Sequence, residues 1–178
     1  GSIINFSQSL PIYADKSFIS NTLSASTYRT ITEDVIGATK IYFSAINGLG
    51  SDDVRLSKRK VLSGSRLRGF EKGKVGPLDG TDHIAGNYAA ALNFEANLPN
   101  FFPEATQTDI GFFLDFGNVW GVDYDSSIDD SNKIRASTGA GASWMSPIGP
   151  MTFTLSQNLS KASSDSTESF NFTLGTTF

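Results

Sequence analysis

Residues 108–118 read TDIGFFLDFGN, and large apolar side chains at the even positions from 110 to 116 alternate with mostly small or polar residues. The odd positions are mostly small or polar and include Asp115. Because successive side chains of an extended chain point to opposite faces, this two-residue period predicts a β-strand with one apolar face. The apolar face comprises Ile110, Phe112, Leu114 and Phe116.

The same period recurs along most of the chain. Regular examples occupy residues 86–98, 135–146, 151–159 and 170–178. Three more candidates lie near residues 2–10, 17–30 and 35–47, and the alternation is weakest in the second of them. Together with the first segment they predict an all-β fold of eight antiparallel strands.

The composition excludes several functional classes. The chain has 178 residues, which is one domain's worth, and its net charge of -4 argues against nucleic-acid binding. It has no cysteine, which excludes disulfide frameworks and thiolate metal sites. No apolar run approaches the ~18 residues that a membrane-spanning helix needs.

The polar faces of the predicted strands indicate what surrounds them. They carry Ser, Thr, Asn and Gly with few charges, while the charged residues gather in the connections. A water-soluble barrel would place Lys and Glu on its polar face. The pattern therefore favours a transmembrane β-barrel, with the apolar face toward lipid and with Trp120 and Trp144 near the two rims. A soluble eight-stranded barrel of the lipocalin type is the alternative.

The connections between the predicted strands differ in length. Residues 146–150 form a tight turn and residues 99–107 are intermediate, whereas 48–85, 119–134 and 160–168 are long and polar. Short turns at one end and long loops at the other are typical of outer-membrane barrels.

Several sequence fragments occur in an order and spacing that resemble one known family. They are LRGF (67–70) with GP (76–77), GNY (86–88), FLDFGNVW (113–120), IRASTGAGASWMSPIGP (134–150) and a last strand that ends in Phe178. Over essentially its whole length, the chain resembles the C-terminal half of the barrel of the BamA family. Members of this family are the barrel subunits of the bacterial machinery that assembles outer-membrane proteins.

The resemblance implies an architecture and a location. Family members have a sixteen-stranded barrel in the bacterial outer membrane, preceded by periplasmic POTRA domains. Residues 1–178 would be the C-terminal transmembrane β-barrel region, with 48–85 as a long outer loop. The POTRA domains and the first eight strands would then be absent from this chain.

The resemblance also implies a function, which is the energy-independent folding and insertion of client β-barrels. The expected partners are the lipid bilayer, client outer-membrane proteins and, through the POTRA domains, the lipoproteins of the assembly complex. No cofactor, enzymatic activity or nucleic-acid partner is expected. Two alternatives stay open, namely a two-partner secretion transporter of the same superfamily and a passive structural barrel or pore.

The basic loop that contains LRGF is the candidate functional loop. In the family this loop folds into the barrel lumen, where its arginine meets acidic residues of the inner wall. The resemblance assigns the arginine to Arg68 and the acids to Glu95 and Asp115, both on predicted polar faces. Gly69 would permit a close backbone approach, and Phe70 would fill an apolar niche. On charge alone, a solvated basic loop is the alternative.

Eight strands can close a barrel, but its interior is then just wide enough for its own side chains. We therefore expect strand 2–10 to pair with strand 168–178, and the loop 48–85 to lie outside. Arg68 would then be displaced away from both acids. The alternative is a homodimer in which two chains form a sixteen-stranded barrel with room for the loops.

The last strand carries a second recognisable feature. Its apolar spacing resembles the C-terminal signal by which bacterial assembly machinery recognises client barrels. The residues concerned are Phe170, Phe172, Leu174 and Phe178.

No catalytic or metal site is predicted. His83 is the only histidine, and no nucleophile is recognisable by its spacing. The acidic segment DYDSSIDD (123–130) offers carboxylates of the kind that calcium prefers, but it lacks the glycine and the terminal glutamate of a calcium-binding loop. A solvated outer loop is the better interpretation of this segment.

Overall fold

The chain forms an antiparallel β-structure. The computed structural model describes residues 1–11, 16–99, 101–103, 107–128, 133–147 and 149–175. No helix within these ranges is long and apolar enough to cross a membrane. The described strands are β1 (Ser2–Ser9), β2 (Phe18–Thr32), β3 (Val35–Gly48), β4 (Leu78–Asp79), β5 (Asp82–His83), β6 (Tyr88–Leu98), β7 (Thr108–Trp120), β8 (Arg135–Ser146), β9 (Gly149–Ser160) and β10 (Phe170–Leu174).

Eight of these strands belong to one sheet, in the order β1-β2-β3-β6-β7-β8-β9-β10. Each strand pairs antiparallel with its neighbours, so the sheet is a meander. Strands β4 and β5 form a small separate hairpin inside the loop between β3 and β6. The prediction of an all-β antiparallel fold with eight principal strands is confirmed.

The connections alternate in length along the sheet. At one end, which we call the outer end, lie the connections 10–17, 49–87, 121–134 and 161–169. At the opposite end lie 33–34, 99–107 and 147–148. This is the distribution that the sequence predicted, and it is the one found in outer-membrane barrels.

The two faces of the sheet have different surroundings. On β7 the side chains of Phe113 and Asp115 are buried, while the intervening residue Leu114 and its neighbour Phe112 belong to the other face, where Phe112 is 53% exposed. On β9, Leu155 is 63% exposed. The apolar rows therefore lie on the outside and the polar rows face inward. A soluble barrel of the lipocalin type, whose apolar rows would form the core, does not fit this arrangement.

The hydrophobic core lies between the long loop and the inner face of the sheet. The loop between β3 and β6 contributes Leu62, Leu67, Phe70 and Val75. The sheet contributes Ala89, Ala91 and Val119, with Tyr42 packed against them. Because two of these wall residues are alanines, the loop can approach the sheet closely. The loop therefore packs on the inner face of the sheet. The expectation that the loop 48–85 lies outside is wrong.

The sheet does not close on itself. Among the described residues, β1 pairs only with β2, and β10 pairs only with β9. The expected pairing of strand 2–10 with strand 168–178 is therefore wrong. The physical reason is volume, since an eight-stranded barrel encloses only its own side chains and this interior also holds a loop and its core. The alternative of a sixteen-stranded homodimer stays a prediction.

Replacing Leu155 by Arg tests which face meets lipid. Leu155 lies in the middle of β9 and Leu159 near its outer end, and both side chains are exposed. In a bilayer, an arginine at the midplane costs ~2–4 kcal/mol, whereas one near the interface costs ~0–1 kcal/mol. We expect Leu155→Arg to lower the free energy of unfolding in vesicles by the larger amount and Leu159→Arg by the smaller. Negligible changes at both positions would place this face in water.

Candidate functional site

The long loop delivers Arg68 to the inner face of the sheet. Its Nε and Nη2 atoms donate hydrogen bonds to the two carboxylate oxygens of Asp115, each at 2.7 Å. Its backbone N–H donates to the same carboxylate at 3.1 Å. Since the Asp115 side chain is fully buried, this bidentate, charge-assisted pair is largely shielded from water.

A second carboxylate completes the surroundings of the arginine. Arg68 Nη2 lies 2.9 Å from Oε1 of Glu95, and Oε2 of Glu95 lies 2.6 Å from Nζ of Lys40 on β3. Two cations and two anions therefore neighbour one another across β3, β6 and β7. Because these charges balance, the inner wall holds no uncompensated charge at this point.

An asparagine links the buried carboxylate to the loop backbone. Asn93 directly opposes Asp115 in the β6–β7 ladder. Its Nδ2 atom donates to Oδ1 of Asp115 at 2.7 Å and to the carbonyl oxygen of Arg66 at 2.9 Å. The Arg66 guanidinium in turn stacks on Tyr42, with 3.7 Å between Cζ and the ring centroid. The loop is thus fixed on both sides of Leu67, a core residue.

The glycine of the motif lies against two further strands. The carbonyl oxygen of Gly69 accepts a hydrogen bond from Nδ2 of Asn158 on β9 at 2.9 Å, and the hydroxyl of Ser137 on β8 donates to the carbonyl of the preceding arginine. Gly69 has a φ of +84°, and a Cβ there would lie 3.1 Å from Ser156 Cβ and 3.3 Å from Ser137 and Asn158. Both the backbone conformation and the close approach therefore require glycine.

The charge state of Arg68 follows from these contacts. Burial lowers the pKa of its guanidinium, but the hydrogen bond and charge of Asp115, and then those of Glu95, outweigh burial and raise the pKa above its ordinary value. The guanidinium also lies over the ring of Phe113, 3.9 Å from the ring centroid. The arginine is therefore held as a cation with an aromatic face beneath it.

Residues 166–168, which we call the clasp, hold the loop by backbone hydrogen bonds. The N–H of Glu71 donates to the carbonyl of Ser166 at 3.1 Å, and the N–H of Ser166 donates to the carbonyl of Lys74 at 3.2 Å. The N–H of Glu168 donates to the carbonyl of Gly69 at 3.0 Å. The clasp is followed directly by β10, so these hydrogen bonds link the position of the loop to that of the last strand.

A second buried ion pair holds the connection that contains the clasp. Arg135 Nε and Nη2 donate to the two carboxylate oxygens of Asp165, each at 2.9 Å, and both side chains are fully buried. Arg135 Nη1 also donates to Oδ1 of Asn118 at 2.6 Å. Sequence analysis missed this pair. The position of Arg135 on a polar face was visible, but its partner lies thirty residues away in a connection, where no spacing rule applies.

The expectations for the loop have mixed outcomes. The structure brings Arg68 together with Glu95 and Asp115, and it buries Phe70 in the core beneath the loop. The expectation that Arg68 is displaced away from both acids is wrong, because the sheet stays open and the loop occupies its inner side. The alternative of a wholly solvated basic loop does not fit these contacts either.

The last strand places its apolar side chains on the outer face. Phe170 and Phe172 both contact Phe153 of β9, with ring centroids 5.9 and 4.8 Å apart. Both of them and Leu174 are exposed. Phe178 lies outside the described residues. The role of these residues as a recognition signal stays a prediction.

The acidic outer connection has structural partners. Asp123 pairs with Arg59 at 3.1 Å and accepts a hydrogen bond from the backbone of Val54. Hydrogen bonds from the side chain and the backbone of Ser127 lower the pKa of Asp125. Within the described residues, no group of three or more His, Cys, Asp or Glu side chains could hold a metal ion. Two further acids of the segment, Asp129 and Asp130, lie outside those residues.

Comparisons with known proteins identify the family. The model of the Omp85 superfamily domain matches residues 1–178. The chain belongs to the Omp85 superfamily. Among its relatives, the outer membrane protein assembly factor BamA of Neisseria meningitidis serogroup B is 30% identical over an alignment of 141 residues, and the match covers 63% of this chain. The BamA of Neorickettsia risticii is 28% identical over an alignment of 130 residues, and the match covers 71% of this chain. The matched part is 17% of each relative.

A solved structure of a BamA barrel has the same architecture over the length of this chain. The crystal structure of BamA from Haemophilus ducreyi lacking POTRA domains 1–3 superposes with a TM-score of 0.90 at 27% sequence identity. The match covers 100% of this chain and 38% of that one. The resemblance to the BamA barrel is therefore confirmed, and the chain has the fold of part of that barrel.

Replacing Arg68 by Ala tests the ion pair. The substitution leaves the buried Asp115 carboxylate without its cation, which costs about 3–5 kcal/mol for a buried pair. We expect a loss of this size in the free energy of unfolding measured by urea titration in detergent or vesicles. The matched control is Lys72→Ala in the same loop, whose exposed side chain has no ion pair with any described residue and should change stability by less than about 0.5 kcal/mol. Similar effects at both positions would show that Arg68 is solvated.

Two glycines of the loop form a matched test of the close approach. Gly69 and Gly73 both have a positive φ, but a Cβ at Gly73 would meet nothing within 4 Å. Gly73→Ala therefore adds only backbone strain, of about 1–2 kcal/mol. Gly69→Ala adds the same strain and three steric contacts, so we expect the larger loss of stability in the same titration. A loss no greater than that of Gly73→Ala would contradict the close packing at Gly69.

Proposed function

We propose that the chain is the C-terminal barrel region of a factor that folds and inserts β-barrel proteins into the bacterial outer membrane. The observation that carries this proposal is the superposition of the whole chain, including the seated loop, on the BamA barrel. The two curated relatives are named assembly factors, and the matched part is 17% of their length. Contacts with assembly-complex lipoproteins would belong to POTRA domains elsewhere in the protein.

The tryptophans support a position across the membrane. Trp144 opposes Thr108 at one end of β7, and Trp120 stacks on Tyr88 at the other end. Twelve residues of strand span ~40 Å, and a strand tilt of ~40° reduces this to ~30 Å along the barrel axis. Aromatic girdles in outer-membrane barrels flank an apolar band of ~25 Å. The two residues therefore suit opposite rims of a barrel wall embedded in lipid.

The unpaired edge of β10 is the proposed binding site for client proteins. Its described ladder with β9 has five residue pairs, from Phe170 to Leu174, whereas the β8–β9 ladder has eleven. Over the described residues the β9–β10 ladder therefore has fewer hydrogen bonds, which makes β10 the easier of these strands to move. An unpaired strand edge is also a template for pairing, which is how a client strand would dock.

Two other functions compete with assembly. A passive pore needs an open lumen, but the loop and its core lie on the inner face and are held there by two carboxylates and by the clasp. A two-partner secretion transporter would export a dedicated protein through the barrel. The seated loop opposes that use as well, and the curated relatives reported above are assembly factors.

A reconstitution experiment tests the proposal. The full-length protein that carries this chain is placed in vesicles, and a denatured outer-membrane barrel is added as client. Folding of the client is followed by its heat-dependent shift in gel mobility. We expect faster folding than in vesicles that hold an unrelated barrel at equal protein-to-lipid ratio. Equal rates would indicate a passive barrel.

Crosslinking in the same assay locates the contact. The chain has no cysteine, so one introduced at Thr173 of β10 or at Thr154 of β9 is unique within it. The two strands are adjacent, and both residues lie on the inward side, where they line the same cavity as Arg68 and Glu95. We expect a cysteine in the client's last strand to form a disulfide with position 173 and not with position 154. Equal crosslinking at both positions would contradict docking at the β10 edge.

A further inference from the structure

The outer face carries a groove that strand pairing does not explain. The groove has a volume of about 550 Å³, and its lining is predominantly apolar. It lies over β3, β6 and β7, in the outer half of those strands. Its lining includes Ile41, Phe43, Ala90, Leu92, Phe116 and Trp120.

The groove follows from one small residue among large ones. Ala90 opposes Phe43 on one side and Asn118 on the other, so it is the smallest side chain of its row. The next row along the strands holds Ile41, Leu92 and Phe116, all larger. Because the methyl group of Ala90 is surrounded by these side chains, it forms the floor of a depression.

A residue of the β7–β8 connection borders the groove at its outer end. Ile134 lines the groove and is 62% exposed, although it belongs to a predominantly polar connection. Trp120 lies at the same end, where it stacks on Tyr88. The groove therefore opens below an aromatic rim and continues toward the middle of the strands.

We propose that this groove binds one acyl chain of a membrane lipid. The inference rests on the proposed placement in the membrane, because the groove is continuous with the apolar face that would contact lipid. Its length runs along the strands from the aromatic rim inward, as an acyl chain runs from the headgroup region toward the bilayer centre. The occupant is therefore a lipid held in a defined place rather than one of the freely exchanging lipids around the barrel.

Water and protein are poorer occupants of this groove. A bound water needs two to four polar partners, and the lining is predominantly apolar; the Oδ1 atom of its asparagine, Asn118, already accepts a hydrogen bond from Nη1 of Arg135. A client strand would need an unpaired backbone edge, but β3, β6 and β7 are all paired on both sides. The apolar chain of a lipid satisfies the groove without any hydrogen bond.

The two tryptophans of the chain provide the test. Trp144→Phe leaves Trp120 as reporter at the groove, and Trp120→Phe leaves Trp144 as reporter at the far rim. Each variant, refolded in detergent micelles, is titrated with a phospholipid that is brominated in its acyl chains and quenches tryptophan fluorescence on contact. We expect saturable quenching of Trp120 at about one lipid per chain, at ratios where Trp144 is still unquenched. Equal quenching of both reporters would overturn the inference.

Filling the floor provides the matched comparison. In the Trp120 reporter, Ala90→Leu should raise the lipid concentration for half-quenching about tenfold, because it displaces roughly two methylene groups of the bound chain. Ala96→Leu makes the same change on the same strand and face but outside the groove, and it should have no effect. If Ala90→Leu does not fold, Ala90→Val serves in its place with a smaller expected shift. Unchanged quenching in the filled variant would contradict the groove as the binding site.

A separate measurement distinguishes a failure of the proposed lipid site from a failure of the proposed membrane placement. In vesicles made wholly of the brominated lipid, both reporters should be quenched if the barrel wall spans the membrane. Quenching there without a saturable site in micelles would retain the membrane placement and overturn the groove. Absence of quenching at both reporters in vesicles would overturn the membrane placement and with it the inference.

Discussion

The buried carboxylate of Asp115 is the constraint on which the rest of the structure depends. A charge on the inner face of a strand, with no exposure to water, needs a cation and further hydrogen bonds to be tolerated. Arg68 supplies both charge and geometry through its planar, bidentate guanidinium. The loop must therefore enter the interior. Its close approach requires glycine at position 69 and alanines on the wall beneath the loop core. Its volume prevents the eight strands from closing into a barrel.

Much of the architecture could be predicted because strand parity is a local property. The alternation in TDIGFFLDFGN predicts that Asp115 faces inward and Phe112 outward, and the same rule places Glu95 on the inner face. Closure could not be predicted in this way. Counting strands treats the interior as a space filled by wall side chains, and that assumption fails when a connection also folds inside.

The parts of the site that sequence reasoning missed are those in which connections meet. Asp165 and the clasp belong to a segment without periodicity. No sequence pattern therefore predicted that Asp165 pairs with Arg135 or that the clasp binds the loop backbone. The misplaced expectation for Arg68 has the same origin, because its position depends on where a long loop packs. The residue types were informative about charge, but only the three-dimensional fold decided which charges are buried.

The wide sequence separation of the loop contacts sets an order of events during folding. Arg68 is 47 residues from Asp115, and Gly69 is 89 residues from Asn158. Until β6 and β7 have joined the sheet, the loop residues Leu62, Leu67, Phe70 and Val75 lack their packing partners on the wall. Contacts of such long range are slow to form, since the intervening chain must be ordered first. The loop can thus reach its final position only after β9 has joined the sheet, which makes its packing a late step of folding.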